Sequence, residues 1–228
     1  MACSASGGIT GKALAIVSFS RKFIFIKTRK TAGTSVQESL LPSCAAGDVA
    51  TMVWRNVICS QRSPIQEFAS LTEIEKAFSI SREDFFTFGF TRNPYSLVLS
   101  RYLYEIRMGR ILAEASSDSF NRWIQGVYFS GEPGFPLGRY IKDRSRLLLF
   151  DDMKRQSVDF IGKFEQLDAD FAHAIRQIRL PVRATLVHVN TSNRGAVNYR
   201  DWLDLVSRKL IEAHFDFELE FFGYRFGQ

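Results

Sequence analysis

Residues 23–35 read FIFIKTRKTAGTS, and the reading of the whole chain starts from them. Phe23–Ile26 is a short apolar run with the length and character of a buried strand. Lys27, Arg29 and Lys30 then place three cations within four residues. Thr31, Ala32, Gly33, Thr34 and Ser35 follow, all small and three of them hydroxylated. Val36–Leu41 is compatible with a helix that Pro42 ends. A strand, a basic turn of small residues and a helix start make an anion cradle. The first helical turn carries N–H groups without intrahelical partners and the positive end of the dipole. Small residues let a phosphate approach the backbone, Gly33 allows the turn, and Lys30 adds a mobile charge. The plainer alternative is a capped surface helix with stray lysines. The stretch is not a Walker A loop, which needs a second glycine and a Gly-Lys-Ser/Thr ending.

Working outward, Ala13–Phe19 is apolar and fits either a first strand or part of a helix, because periodicity does not choose. Residues 1–11 are small and polar, and we expect them to be disordered. Ser43–Arg62 is mixed in character and is expected to be irregular. Ser70 and Glu73 form a capping box ahead of a helix to about Phe78. Phe85–Phe90 is a second apolar strand, followed by Thr91-Arg92-Asn93-Pro94. Pro94 suits the first position of a helix running from Tyr95 to about Arg110. A short helix is expected over Phe120–Phe129 and a loop over Ser130–Gly138. Leu147–Phe150 and Val158–Phe164 read as strand-like pieces. Leu167, Phe171, Ile175 and Ile178 mark an amphipathic helix ended by Pro181. His188–Asn198 is loop-like, Trp202–Phe215 reads as a last helix, and an aromatic tail follows. Alternating strands and helices over 228 residues predict one domain. Its class would be α/β, with a central, mostly parallel sheet flanked by helices.

The second strand ends in a second cationic corner. Arg92 leaves its carboxyl end, and Ser100 lies six residues past Pro94, roughly 9 Å along the helix. An extended arginine and a helix-borne hydroxyl can meet at one phosphate, at the sheet end where ligands of open α/β proteins bind. An ordinary salt-bridged arginine beside a proline-started helix is the alternative. Two such corners in one chain suggest a ligand with two separated anionic groups.

Bulk properties bound this reading without completing it. A net charge of +6 favours acidic partners, whether nucleic acid, nucleotide or sulfated glycan. A hydrophobic content of 46% argues against disorder. Cys3, Cys44 and Cys59 are too few and too scattered for a disulfide framework or a zinc site. No stretch is long and apolar enough for a signal core or a membrane span, so a cytoplasmic protein is expected.

The paired stretches KTRKTAGTS and FTFGFTRNPYSLVLSRY resemble the sulfotransferases of the carbohydrate, heparan sulfate 2-O-sulfotransferase-like, type. FIGKFEQLDADF, HVNTSNR and the FFGYRF ending extend the likeness from about Phe23 to Phe226. The resemblance implies a P-loop-like three-layer sandwich. It implies a donor, 3′-phosphoadenosine 5′-phosphosulfate (PAPS), and a product, adenosine 3′,5′-bisphosphate, with no metal. The 5′-phosphosulfate would be held by Lys30, Thr31, Ala32, Gly33, Thr34 and Ser35, with Arg29 as an added cation where many relatives have proline. Arg92 and Ser100 would hold the 3′-phosphate, and Arg194, in a late loop, would add a contact. The acceptor implied is a hydroxyl of a saccharide or similar molecule, and neither nucleic acid nor membrane is an implied partner.

Many relatives carry a histidine before the second motif as the base for the acceptor hydroxyl. Phe68 occupies the matching place here, and no histidine precedes His173. His173, His188 and His214 are read as structural. Glu67 is the first candidate for the base, with Glu83 and Asp84 behind it. Ser43–Arg62 and Gly109–Gly138 are candidate acceptor loops, and Tyr128, Phe129 and Phe135 either stack on a sugar or pack in a core. Three rival readings stay open at this point: a P-loop-like kinase, a non-catalytic polyanion binder, and a folded but inactive sulfotransferase.

Overall fold

The computed structural model of the protein describes residues 15–50, 69–128, 145–180, 186–187 and 197–227. Its centre is a five-stranded sheet of β1 (Ala15–Ser18), β2 (Phe23–Ile26), β3 (Val49–Ala50), β4 (Phe86–Thr91) and β5 (Phe160–Lys163), in the order β3-β1-β2-β4-β5. β2, β4 and β5 are parallel neighbours, with Ile26 opposite Gly89 and Thr91 opposite Lys163. β1 runs antiparallel to both β2 and β3, so it alone is reversed. Ala13–Phe19, left open above, is therefore a strand over Ala15–Ser18. It joins β2 through a tight turn in which Lys22 takes a left-handed φ of 55°.

β2 is buried on both faces, as parallel strands covered by helices must be. Phe23 and Phe25, with Phe88 and Phe90 of β4, face Val36 and Leu40 of α1 (Gly33–Leu40). The same cluster takes in Leu167, Phe171, Ala174 and Ile175 of α6 (Leu167–Gln177). Ile24 and Ile26 face the other way, against Leu71 and Ile74 of α2 (Leu71–Phe78) and Leu148 and Leu149 of α5 (Arg146–Leu149). Removing one such side chain costs about 2–5 kcal/mol, so the strands that carry the two corners are firmly anchored. Gly89 is there for space, since a Cβ would stand 2.5 Å from Leu149 Cδ2 and 3.0 Å from the Ile26 carbonyl oxygen. A third cluster holds α3 (Pro94–Arg107) through Val98 and Tyr102. They pack on Phe120 and Trp123 of α4 (Ser117–Trp123), Tyr199 of α7 (Tyr199–Trp202) and Ile211 of α8 (Leu205–His214).

Several expectations shift. Leu147–Phe150 is a single helical turn rather than a strand, with only Phe150 bridging to Gln156. A four-residue apolar run serves either state equally, and burial against Gly89 chooses the helix. The expected helix from Trp202 starts at Leu205, because the Asp204 carboxylate accepts the Ser207 N–H at 2.7 Å and caps it there. The aromatic tail is α9 (Asp216–Phe222), ended by Gly223 at a left-handed φ of 69°. Within Ser43–Arg62, Val49–Ala50 pairs as an edge strand, and residues 51–62 lie outside the described set. The helix expected over Phe120–Phe129 begins at Ser117, capped reciprocally by Ser116 and Ser119, and continues as a π-helical turn over Ile124–Tyr128. The Ser70–Glu73 capping box is present. Residues 1–11, Pro181, the loop over Ser130–Gly138 and residues 188–196 of the loop expected over His188–Asn198 also fall outside the described residues. No described helix is long and apolar enough to cross a membrane.

Candidate functional site

β2 and β4 are parallel neighbours in register, so the segments that follow them emerge at the same edge of the sheet. The Thr28 hydroxyl donates to the Phe90 carbonyl, and the Thr28 and Thr31 hydroxyls lie 2.7 Å apart. Arg92 Nη1 donates to the carbonyl oxygen of Lys30 at 3.0 Å. The two cationic corners therefore touch.

The first corner is shaped by its backbone. Lys30 and Ala32 have φ of 59° and 58°, with Thr31 between them outside that region. A left-handed L-residue costs about 1–2 kcal/mol, so the surrounding bonds must hold this turn. Alternation of hand turns successive N–H groups toward one side, a concavity suited to an anion. Contrary to the expectation from sequence, Gly33 does not make the turn: its left-handed residues are Lys30 and Ala32. Gly33 is the first residue of α1, and a Cβ on it would stand 2.6 Å from Lys27 Cγ. The Lys27 stem crosses the helix start there and its ammonium donates to Gln37 Oε1 at 3.0 Å. No side chain caps α1 at Ala32. Thr31 and Ser35 are buried, whereas Arg29, Lys30 and Thr34 are half-buried.

The second corner is shaped by side chains. Asn93 caps α3 by accepting the Tyr95 N–H at 3.1 Å, and its own N–H donates to Glu165 Oε1 at 2.8 Å. Glu165 Oε2 accepts the Tyr224 hydroxyl at 3.0 Å. The Arg92 guanidinium lies 4.0 Å from the centre of the Phe164 ring, and its Nε donates to Ser96 Oγ at 2.9 Å. Burial pushes Arg92 down to about 10, opposed by the Glu165 and Tyr224 charges, and it stays a cation at neutral pH. Burial and then Glu165 push the Tyr224 phenol well up, so it stays a neutral donor. Ser96, Ser100 and Tyr104 follow Arg92 at four-residue spacing along one side of α3. The Lys30 ammonium lies 4.3 Å from the centre of the Tyr104 ring. The Lys30 residue thus reaches Arg92 with its carbonyl and Tyr104 with its side chain.

The structure brings Arg29, Lys30, Thr31, Ala32, Gly33, Thr34 and Ser35 to the same sheet edge as Arg92, with Ser100 on the helix that leaves it. Glu83 and Asp84 are not brought there. They lie in the 3₁₀ turn before β4, at the opposite end of a six-residue strand, roughly 20 Å away. This removes them as bases for chemistry at Lys30. Glu67, Phe68, Arg194 and His188 lie outside the described residues, as do Phe129 and Phe135. His173 packs on Phe160 with ring centres 4.6 Å apart, His214 sits against Phe215 at 5.0 Å, and Tyr128 is buried against Trp123 at 4.9 Å. Sequence reasoning missed Thr28, Ser96, Tyr104, Phe164, Glu165 and Tyr224. The four-residue spacing from Arg92 was the available signal for Ser96 and Tyr104. Among the described residues no group of three or more His, Cys, Asp or Glu could hold a metal ion.

Comparisons with known proteins bear on the family of the chain. A protein of Archaeoglobus fulgidus described as uncharacterized is 30% identical over 120 residues, covering 52% of this chain and 85% of the relative. No solved structure matches. The family described as "Sulfotransferase family" matches residues 14–225, a span that contains both corners, all five strands and α1 through α9, and the chain belongs to that family.

Proposed function

We propose that the protein transfers a sulfuryl group from PAPS to a hydroxyl of a carbohydrate or related acceptor, in the manner of the heparan sulfate 2-O type that its motifs resemble. The observation that carries this reading is the Arg92–Lys30 hydrogen bond, which joins two cationic corners at one sheet edge. One corner offers a helix start without a side-chain cap and a left-handed turn, and the other a half-buried arginine just ahead of a serine-bearing helix. Those features fit a ligand with two anionic ends. Helices on both sheet faces are consistent with the P-loop-like sandwich that the resemblance implies.

In this reading the backbone of Thr31–Ser35 and the Thr34 and Ser35 hydroxyls hold the 5′ end of the nucleotide, with Arg29 adding charge. Arg92 and Ser100 hold the 3′-phosphate, and Arg194 is a further candidate contact. When bound, the donor supplies a sulfuryl group for in-line displacement through a loose transition state. Lys30 stabilises the negative charge that grows on the bridging oxygen as the sulfur–oxygen bond breaks, the electrostatic contribution that usually dominates. Glu67 is the candidate to take the proton from the acceptor hydroxyl.

Titration calorimetry with adenosine 3′,5′-bisphosphate and with Mg-ATP tests the reading. Binding of the bisphosphate but not Mg-ATP is expected. Preference for Mg-ATP would point to a kinase, and binding of neither to a protein that uses its charge on a polyanion.

A further inference from the structure

We propose that Tyr104 is a positioning residue for Lys30, using its ring face to fix where the ammonium points. This rests on the sulfuryl-transfer reading above, and it assigns a role to a residue which that reading leaves unused. Lys30 stands on a left-handed backbone with φ 59°, so its side chain leaves the loop in a direction that the turn dictates. Its ammonium is 4.3 Å from the Tyr104 ring centre, inside the distance at which a cation is drawn to a ring face.

Tyr104 is held for this task. It lies on α3 between Tyr102, which is fully buried, and Glu105, whose side chain is 2% exposed. Glu105 pairs with Arg101 at 3.5 Å and with Arg110 at 3.2 Å. The guanidinium carbons of Arg101, Arg107 and Arg110 stand 5.8, 5.4 and 5.6 Å from the same ring centre. The Tyr104 ring thus sits among arginines that are themselves tied to Glu105, and its face gives the flexible four-carbon chain of Lys30 a fixed surface to rest on. Fixing a charged group before reaction lowers the reorganisation needed during it. The ring face supplies the attraction, so the phenolic hydroxyl is dispensable.

Two readouts test this without an acceptor. The first is the ¹H,¹³C spectrum of reductively ¹³C-methylated protein, with the Lys30 signal assigned by its loss in Lys30→Arg. Over a ring face the Lys30 methyl signal lies upfield of ordinary lysines. It should stay upfield in Tyr104→Phe and return to the ordinary position in Tyr104→Leu. The second is release of sulfate from PAPS to water. Tyr104→Leu should lower its kcat about tenfold, and Tyr104→Phe should restore most of it. The Kd for adenosine 3′,5′-bisphosphate should stay within about twofold in both variants. An unshifted Lys30 signal in the wild-type protein would overturn the proposal. So would full turnover in Tyr104→Leu, or equal loss in the Phe and Leu variants. Failure of the wild-type protein to bind adenosine 3′,5′-bisphosphate would instead remove the sulfuryl-transfer reading beneath it.

Discussion

The two corners solve the same problem by opposite means. At the first, α1 begins with no side-chain cap, and the turn before it is bent by left-handed Lys30 and Ala32. At the second, α3 is capped by Asn93, and the Glu165 carboxylate already sits on the Asn93 N–H. No side chain at Ala32 answers the helix dipole at α1, whereas at α3 it is answered from within the protein. An anion at the second corner has to be read by the Arg92 guanidinium and the α3 hydroxyls. In the proposed reading the transferable group sits with Lys30 and the start of α1, and the permanent handle with Arg92.

This contrast can be broken at several points. Lys30→Ala should lower turnover by about 10²–10³-fold, the scale of removing one transition-state charge contact, while the folded protein keeps its thermal transition. Normal turnover would show that the first corner does no chemistry. Arg92→Ala should weaken nucleotides carrying a 3′-phosphate by about 10–100-fold and those without it by less than about threefold. Equal loss for both would make Arg92 a brace for the Lys30 carbonyl and nothing more.

Smaller effects separate backbone from side chain. Asn93→Ala should lower stability by about 1 kcal/mol in denaturant titration, with nucleotide affinity nearly unchanged, because the cap serves α3 rather than the ligand. A large loss of affinity would mean that the two corners are less distinct than described. Ala32→Gly relieves a left-handed Ala and should raise stability by about 0.5–1 kcal/mol after the entropy of the unfolded chain is counted. A destabilised variant would show that the Ala32 methyl, and not its backbone, matters at the first corner.

The strands at both corners were legible because Phe23–Ile26 and Phe85–Phe90 are apolar runs that end abruptly in charge. The cap at Ser70 and the helix start at Pro94 were legible because their chemistry is local. The geometry of the cradle was not. Lys and Ala rarely take a left-handed φ, so nothing in their identity marks positions 30 and 32, whereas Gly33 carries the usual signal of a turn. Glu165 reaches Asn93 across 72 residues and Tyr224 reaches Glu165 across 59, distances at which a single sequence carries no pairing signal. Leu147–Phe150 misled for a different reason, since four apolar residues fit a buried turn of helix as well as a strand.

The central claim is that one ligand bridges both corners. Calorimetry on the wild-type protein with adenosine 3′,5′-bisphosphate, adenosine 5′-monophosphate and adenosine 3′-monophosphate tests it most directly. The account predicts that the bisphosphate binds at least about tenfold more tightly than either monophosphate, since each corner adds a charged contact. A bisphosphate that binds no more tightly than the better monophosphate would contradict it.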